Sequence, residues 1–345
     1  MEKYRKFGDA STGINPFISM QTPTTISMVV SAFVFPLRCV FAVGFVLLLL
    51  VVDAFAYLFF VVPGLSFVSH QLIAKLQRLL ARCLLFSLGN ICVAQGETPR
   101  LVAPSAGDVV VANLQSVWDM FVIEVAGRLP LFVVAFYAGG AVPPRSTGKK
   151  EVGSLIVMEP SPLQRWRVWW HIYNTGSLAF LRAAASGDGG TVPLDVTALQ
   201  KRCRCLGVPL VLFAEGTCSN GKGVLSTSPL VVGAPPARMV ASAVDYDTAA
   251  LHTVVRPRNV FVHLFSMSAS LYGSRDPAWY SPQFPTATVR LAAVTLNASS
   301  GAAEDTVMVD SVKFRQTLCG VSRSRRVLGV GLRDKCGFVE AFVAR

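Results

Sequence analysis

From residue 28 to residue 62 the chain is almost continuously hydrophobic, interrupted only by Pro36, Arg38 and Asp53. A helix that is apolar all round has to be buried, in a large core or in a bilayer. Residues 39–62 alone supply 24 positions, enough to cross about 30 Å of hydrocarbon. Two arrangements satisfy this length: a single span, or a re-entrant hairpin turning near Pro36 and Arg38 and at Asp53. Lys3, Arg5, Lys6 and Arg38 lie before the run, and Lys75, Arg78 and Arg82 lie after it. With basic residues on both sides, the positive-inside rule selects no orientation. The run begins too late for an ordinary signal peptide, and no small-residue cleavage pattern closes it.

The rest of the chain agrees with a membrane setting. Of its 345 residues 52% are hydrophobic and only 15% charged, against about 25% charged in an average soluble domain. The few charges are biased to +12, which suits anionic headgroups and anionic substrates. No zinc-finger spacing, arginine-rich run or aromatic-interleaved basic repeat is present, so nucleic acid is not an expected partner. The eight cysteines are scattered without a CxxC pair, which reads as reduced thiols on the cytosolic side. None of the four histidines adjoins a cysteine, so no metal site is expected. Residues 66–93 predict an amphipathic helix: Leu72, Leu76, Leu79, Leu80 and Leu84 recur at helical spacing, with Lys75, Arg78 and Arg82 opposite. Beside a membrane run such a helix lies in the interface or packs on the globular domain.

Beyond residue 96 short β-branched runs alternate with helical stretches. Residues 108–113, 131–137, 208–214, 239–246, 259–267 and 288–296 predict strands, and 118–128, 163–175 and 195–206 predict helices. Strand–helix alternation implies an α/β fold with a mixed, largely parallel sheet flanked by helices, behind an N-terminal membrane-embedded segment. Residues 187–190 read as a glycine turn and 297–305 as an exposed loop. The expected organisation is a polar tail (1–26), a membrane span or hairpin with an interfacial helix (27–95), an α/β domain (96–310), and a basic C-terminal extension ending in a short helix (311–345).

Two segments carry chemistry. Asn113-Leu-Gln-Ser-Val-Trp-Asp119 follows a buried strand and opens a helix, with Ser116 or Asn113 placed to cap it and Asp119 in the first turn. About 100 residues later, Val211-Leu-Phe-Ala-Glu-Gly-Thr-Cys-Ser-Asn-Gly-Lys-Gly-Val-Leu225 brings glycines, hydroxyls and Lys222 to the end of another buried strand, a composition suited to an anion. The pair resembles the glycerolipid acyltransferases, which transfer a fatty acyl group from coenzyme A to glycerol phosphate or a lysophospholipid. Their first motif, Asn-His-x-Ser-x-x-Asp, is matched at Asn113, Ser116 and Asp119. Their third, Phe-Pro-Glu-Gly-Thr-x-Ser-Asn-Gly, is matched from Phe213 to Gly221 except at Ala214. A second motif of glycine, phenylalanine and arginine is similar to Gly176, Phe180 and Arg182. The fourth, an apolar strand with a central proline, is matched poorly at 239–246, where Ala241 replaces the proline. The resemblance covers about residues 70–250, and the form of the third motif looks most like the lysophospholipid branch, including fungal lysophosphatidate enzymes that use oleoyl-CoA.

The resemblance implies acyl transfer from acyl-CoA, as co-substrate and with no other cofactor, to a lysophospholipid such as lysophosphatidate. The expected setting is the cytosolic face of the endoplasmic reticulum membrane, or a lipid droplet. Arg182, Glu215 and Gly216 would hold the acceptor phosphate, Thr217 and Asn220 would shape the loop, and Asp119 would orient the base. The family's base is the histidine of the first motif, and here that position is Leu114, which transfers no proton. Either the chain turns over through Asp119, a water or a displaced histidine, or it is an impaired homologue that binds lipid as a scaffold. His171, in Trp169-Trp170-His171-Ile172-Tyr173, reads as an aromatic packing residue. Arg165 and Arg167 with Trp166, Trp169 and Trp170 form either a lipid-facing belt or an ordinary sheet-packed helix. The run Arg323-Ser-Arg325-Arg326 reads as a solvated basic face.

Overall fold

The computed structural model describes residues 2–18, 25–62, 72–89, 91–96, 104–127, 131–139, 150–152, 155–186, 193–233, 238–246, 264–265, 268, 286–294, 306–322 and 325–343. The eight strands of its main sheet are β1 (Cys92–Gln95), β2 (Val109–Ala112), β3 (Val133–Tyr137), β4 (Lys150–Val152), β5 (Leu155–Met158), β6 (Leu210–Phe213), β7 (Met239–Tyr246) and β8 (Thr286–Val294). They lie in the order β1-β8-β7-β2-β6-β3-β5-β4. β7, β2, β6 and β3 run parallel side by side, and β8 and β5 turn antiparallel at the two flanks of that block. The expected α/β class is therefore what the chain forms, with a central sheet that is mostly parallel.

Parallel strands are covered on both faces, so their residues are apolar throughout rather than alternating. Val110, Ala112, Val211 and Phe213 face one core, which includes Leu84 of α2 (Ala74–Gly89), Phe121 of α3 (Asp119–Gly127) and Ile172 of α4 (Gln164–Asn174). Val109, Val111, Leu210 and Leu212 face the opposite core. There they meet Leu199 and Cys203 of α6 (Thr197–Leu206) and Phe314 of α7 (Ser311–Val321). Between α4 and α6 stands α5 (Leu178–Ser186), and α8 (Leu332–Val343) closes the chain. The expected strand over 259–267 is not formed at its described residues, since Leu264 and Phe265 are helical. The turn at 187–190 and the loop at 297–305 lie outside the described residues.

The apolar run forms one helix, α1 (Thr25–Val61), which continues through Pro36, Arg38 and Asp53. Neither expected hairpin turn exists. Proline is accommodated inside a helix when the freed carbonyl finds another partner, and the cost of about 3 kcal/mol is small against so long an apolar face. Met28–Val61 is long and apolar enough to cross a membrane, with a mean hydropathy of 2.7.

Both ends of the chain differ from expectation. The residues ahead of α1 are no free tail: Phe17 is fully buried in a third core with Leu225, Leu328, Leu332, Phe338 and Val339. Tyr4 and Phe7 pack their rings on Phe338, at 5.3 and 5.8 Å between centroids. The C-terminal residues are likewise no appendage, because they supply most of that core. Contacts joining positions more than 300 apart carry no local periodicity, which is why neither end announced itself.

Candidate functional site

β2 and β6 are adjacent and parallel, with Ala112 opposite Phe213. Their following loops, 113–118 and 214–222, therefore leave the same edge of the sheet, where open α/β sheets place their ligands. The two loops are bonded to each other. Leu114 N donates to Glu215 Oε2 at 3.0 Å, and Ser219 N donates to the Leu114 carbonyl at 2.9 Å. Asn113 Oδ1 accepts from Val244 N at 2.9 Å, and Gln115 Nε2 donates to the Val244 carbonyl at 2.7 Å. That side of the first loop is thus stitched to β7.

Asp119 opens α3 and closes the first loop on itself. Its Oδ2 accepts from Gln115 N at 2.5 Å and Ser116 N at 3.0 Å, while Ser116 Oγ accepts from Trp118 N at 3.3 Å. Its Oδ1 accepts from the Tyr246 hydroxyl at 2.6 Å. Burial pushes the Asp119 carboxyl up to about 6, against these hydrogen bonds and the nearby Arg325, all of which pull it down. Tyr246, at the end of β7, is thus the side chain that donates to the Asp119 carboxyl. Among the described residues the only imidazole is His171, which packs on Phe136 at 4.6 Å and Phe180 at 5.6 Å. His70, His252 and His263 lie outside the described residues. Leu114 itself is fully buried in the apolar core shared by Phe136 and Phe213.

The second loop is held from three directions. Glu215, 2% exposed, accepts from Leu114 N with one oxygen and from Leu225 N with the other, at 3.0 Å each. Burial raises its carboxyl to about 7. Gly216 has φ +67°, and a Cβ there would come within 2.5 Å of the Tyr137 carbonyl, so only glycine fits. Asn220 ties the loop to the N-terminal segment: its N donates to Pro16 O at 2.7 Å, and its Nδ2 donates to Asn15 O at 2.9 Å. Beneath the loop, Lys335 of α8 is wholly buried and donates to Thr217 Oγ1 and the Cys218 carbonyl, both at 2.7 Å. Burial lowers its ammonium to about 8.

Asn113, Leu114, Ser116, Asp119, Glu215, Gly216, Thr217 and Asn220 are therefore gathered into one buried polar network. Arg182 is not among them. It stands exposed on α5 and pairs with Glu340 of α8 at 2.7 Å. The buried cation at the site is instead Arg325, which corrects the expected solvated face. Its side chain is fully buried, and it donates to the Val244 carbonyl and pairs with Asp245 at 2.9 Å. Its Nε and Nη1 carry no hydrogen bond among the described residues. Tyr246, Arg325 and Lys335 were missed because their roles depend on long-range packing. Lys335 alone left a local trace, sharing a helix face with Leu332, Cys336 and Val339.

A second buried ionic cluster links α1 to the domain. Arg165 of α4 forks onto Glu124 of α3, through Nε at 2.7 Å and Nη2 at 2.5 Å, and its Nη1 pairs with Asp53 of α1. Gln77 of α2 donates to Asp53 at 2.9 Å. Arg165 therefore faces inward rather than toward lipid. A cavity of about 710 Å³ opens between α1 and α2, lined by Phe41, Phe45, Phe86 and Ile91 with Arg38 and Arg82.

The chain matches no protein-family model, no curated protein and no solved structure.

Proposed function

We propose that the protein is a membrane-bound acyl-CoA-dependent acyltransferase whose acceptor is a lysophospholipid, with lysophosphatidate the first candidate. Its setting would be a cytosol-facing membrane such as the endoplasmic reticulum or a lipid-droplet surface. The observation that carries the reading is the cross-bonding of the two motif loops at the sheet edge, around a buried carboxyl whose affinity for a proton is raised. Asp119 and Tyr246 then form the proton path that Leu114 lacks. The acceptor hydroxyl gives its proton to the Tyr246 oxygen while the Tyr246 proton passes to Asp119 Oδ1. The acceptor oxygen attacks the thioester carbon, the carbon–sulfur bond breaks, and the departing thiolate of coenzyme A recovers the proton by the reverse route. A carboxyl held near 6 is suited to take and return a proton at neutral pH.

The test is release of coenzyme A from acyl-CoA by the detergent-purified protein with lysophosphatidate. Wild type is expected to turn over, and Tyr246→Phe, which keeps the ring and removes the relay oxygen, to lose about 10²–10⁴-fold in kcat. A wild type no faster than the enzyme-free blank sinks the reading. The burial of Leu114 in the apolar core favours a second reading, a lipid-binding homologue without turnover. A silent wild type that still binds the lysolipid, beside an active Leu114→His, would establish it.

A further inference from the structure

We infer that α1 does not cross the bilayer: α1 and α2 lie side by side in one leaflet of an anionic membrane, with the chain before and after α1 on the domain's side. The inference rests on the membrane association proposed above, not on acyl transfer.

The topology of the packing carries it. A helix that crosses a membrane once puts the chain before it and the chain after it on opposite sides. Here the preceding residues are built into the domain that comes after the helix, with Phe17 fully buried against α8 and Asn220 donating to the Ile18 carbonyl at 3.2 Å. Ile18 and Thr25 are seven Cα–Cα steps apart, a reach of at most about 25 Å, less than the about 30 Å hydrocarbon thickness. The other end of α1 is also held to the domain, by Asp53 on Arg165 and by Phe60 against the core behind the sheet. Between these ends Arg38 donates to Ser268 at 3.2 Å, and Phe35 meets Phe265 edge-on at 5.4 Å. The helix, about 55 Å long at 1.5 Å per residue, is thus fixed side-on along its length. A span would have to carry one end away from the domain.

What remains exposed is an apolar face of matching length. Phe33, Val40, Leu47 and Leu58 point outward on α1. Along α2 and the residue pair before it the expected leucine stripe divides: Leu80 and Leu84 are buried, while Leu72, Leu76, Leu79 and Phe86 are exposed. Exposed Lys75 and Arg82 accompany that outer row. An apolar face with flanking cations is the composition of an in-plane helix on anionic lipid.

The full-length protein tests this directly. A fluorescent amino acid placed in turn at positions 33, 40, 47 and 58 is read by lipid-borne quenchers in mixed phosphatidylcholine–phosphatidylglycerol vesicles. All four positions are expected at one shallow depth. Position 47 at the bilayer centre, with 33 and 58 near opposite surfaces, would overturn the inference. Binding to triolein droplets coated with a phospholipid monolayer gives a second readout, since a spanning helix needs two leaflets. Failure to bind droplets, or failure to bind either surface, also overturns it. Lys75→Gln with Arg82→Gln is expected to weaken binding to the mixed vesicles by about 30-fold. An unchanged affinity would refute the anionic preference. Neither readout involves turnover, so failure of the acyltransferase reading leaves the result interpretable.

Discussion

Replacing Arg165 by methionine removes the guanidinium that joins α1, α3 and α4 while conserving much of its volume. Arg165, Asp53 and Glu124 are each no more than 5% exposed. Deleting one partner of a buried ion pair costs about 3–5 kcal/mol, because the other charge is left without compensation. Here Glu124 loses both arms of a fork, whereas Asp53 keeps Gln77. The upper half of that range is therefore expected at pH 8. Burial already holds the Glu124 carboxyl well above the usual carboxylate range. Without Arg165 it rises further, so the folded variant takes up a proton that the unfolded chain does not bind. A raised carboxyl contributes stability that is present at low pH and lost as pH rises through its folded value. The deficit of the variant should accordingly shrink between pH 8 and pH 5. Urea unfolding of the detergent-solubilised protein, followed by loss of helix signal, measures both quantities. Adding Asp53→Leu and Glu124→Leu to Arg165→Met should recover most of the loss, since an apolar cluster of similar volume has no charge to desolvate. A variant as stable as wild type at pH 8, or a deficit that grows on acidification, would refute the role assigned to the cluster.

Lys335→Met tests the support beneath the second loop. Lys335 falls from 10.5 to about 8, so wild type should gain roughly 3 kcal/mol of stability between pH 8 and pH 10.5 as the folded state sheds its proton first. The methionine variant should lack that gain, and parallel pH curves for the two proteins would show that burial does not lower the proton affinity of Lys335. Gly216→Ala should destabilise by at least roughly 1–3 kcal/mol from the left-handed backbone alone. The approach of its Cβ to the Tyr137 carbonyl adds to that cost, and a thermal midpoint within a degree of wild type would show that the loop relaxes.

How far the sequence disclosed this arrangement depends on the range of the contacts. The strands of the parallel block were legible because each is a short apolar run, and their elements begin and end within two residues of the expected bounds at 109–112, 133–137, 210–213 and 239–246. The two motif loops were legible for the same reason, since a strand end fixes where its loop begins. Arg182 lies apart from the network, since a motif match gives order along the chain but not direction in space. On α5 it points toward α8 and meets Glu340.

The charged residues in apolar surroundings taught the opposite lesson. Asp53 within the hydrophobic run and Arg165 within a tryptophan cluster were each visible as anomalies, and each received a local explanation, a turn and a lipid-facing belt. Burying a lone charge is so costly that it points to a partner, and the two anomalies are partners across 112 positions. Arg325 and Lys335 follow the same logic, one in a basic run and one on an apolar helix face. Read as unpaired charges seeking compensation, these four residues hold α1 against the domain and brace the loops around Asp119. The long apolar helix thus owes its in-plane course to polar residues, and the same packing that keeps α1 beside the domain builds the site at the sheet edge.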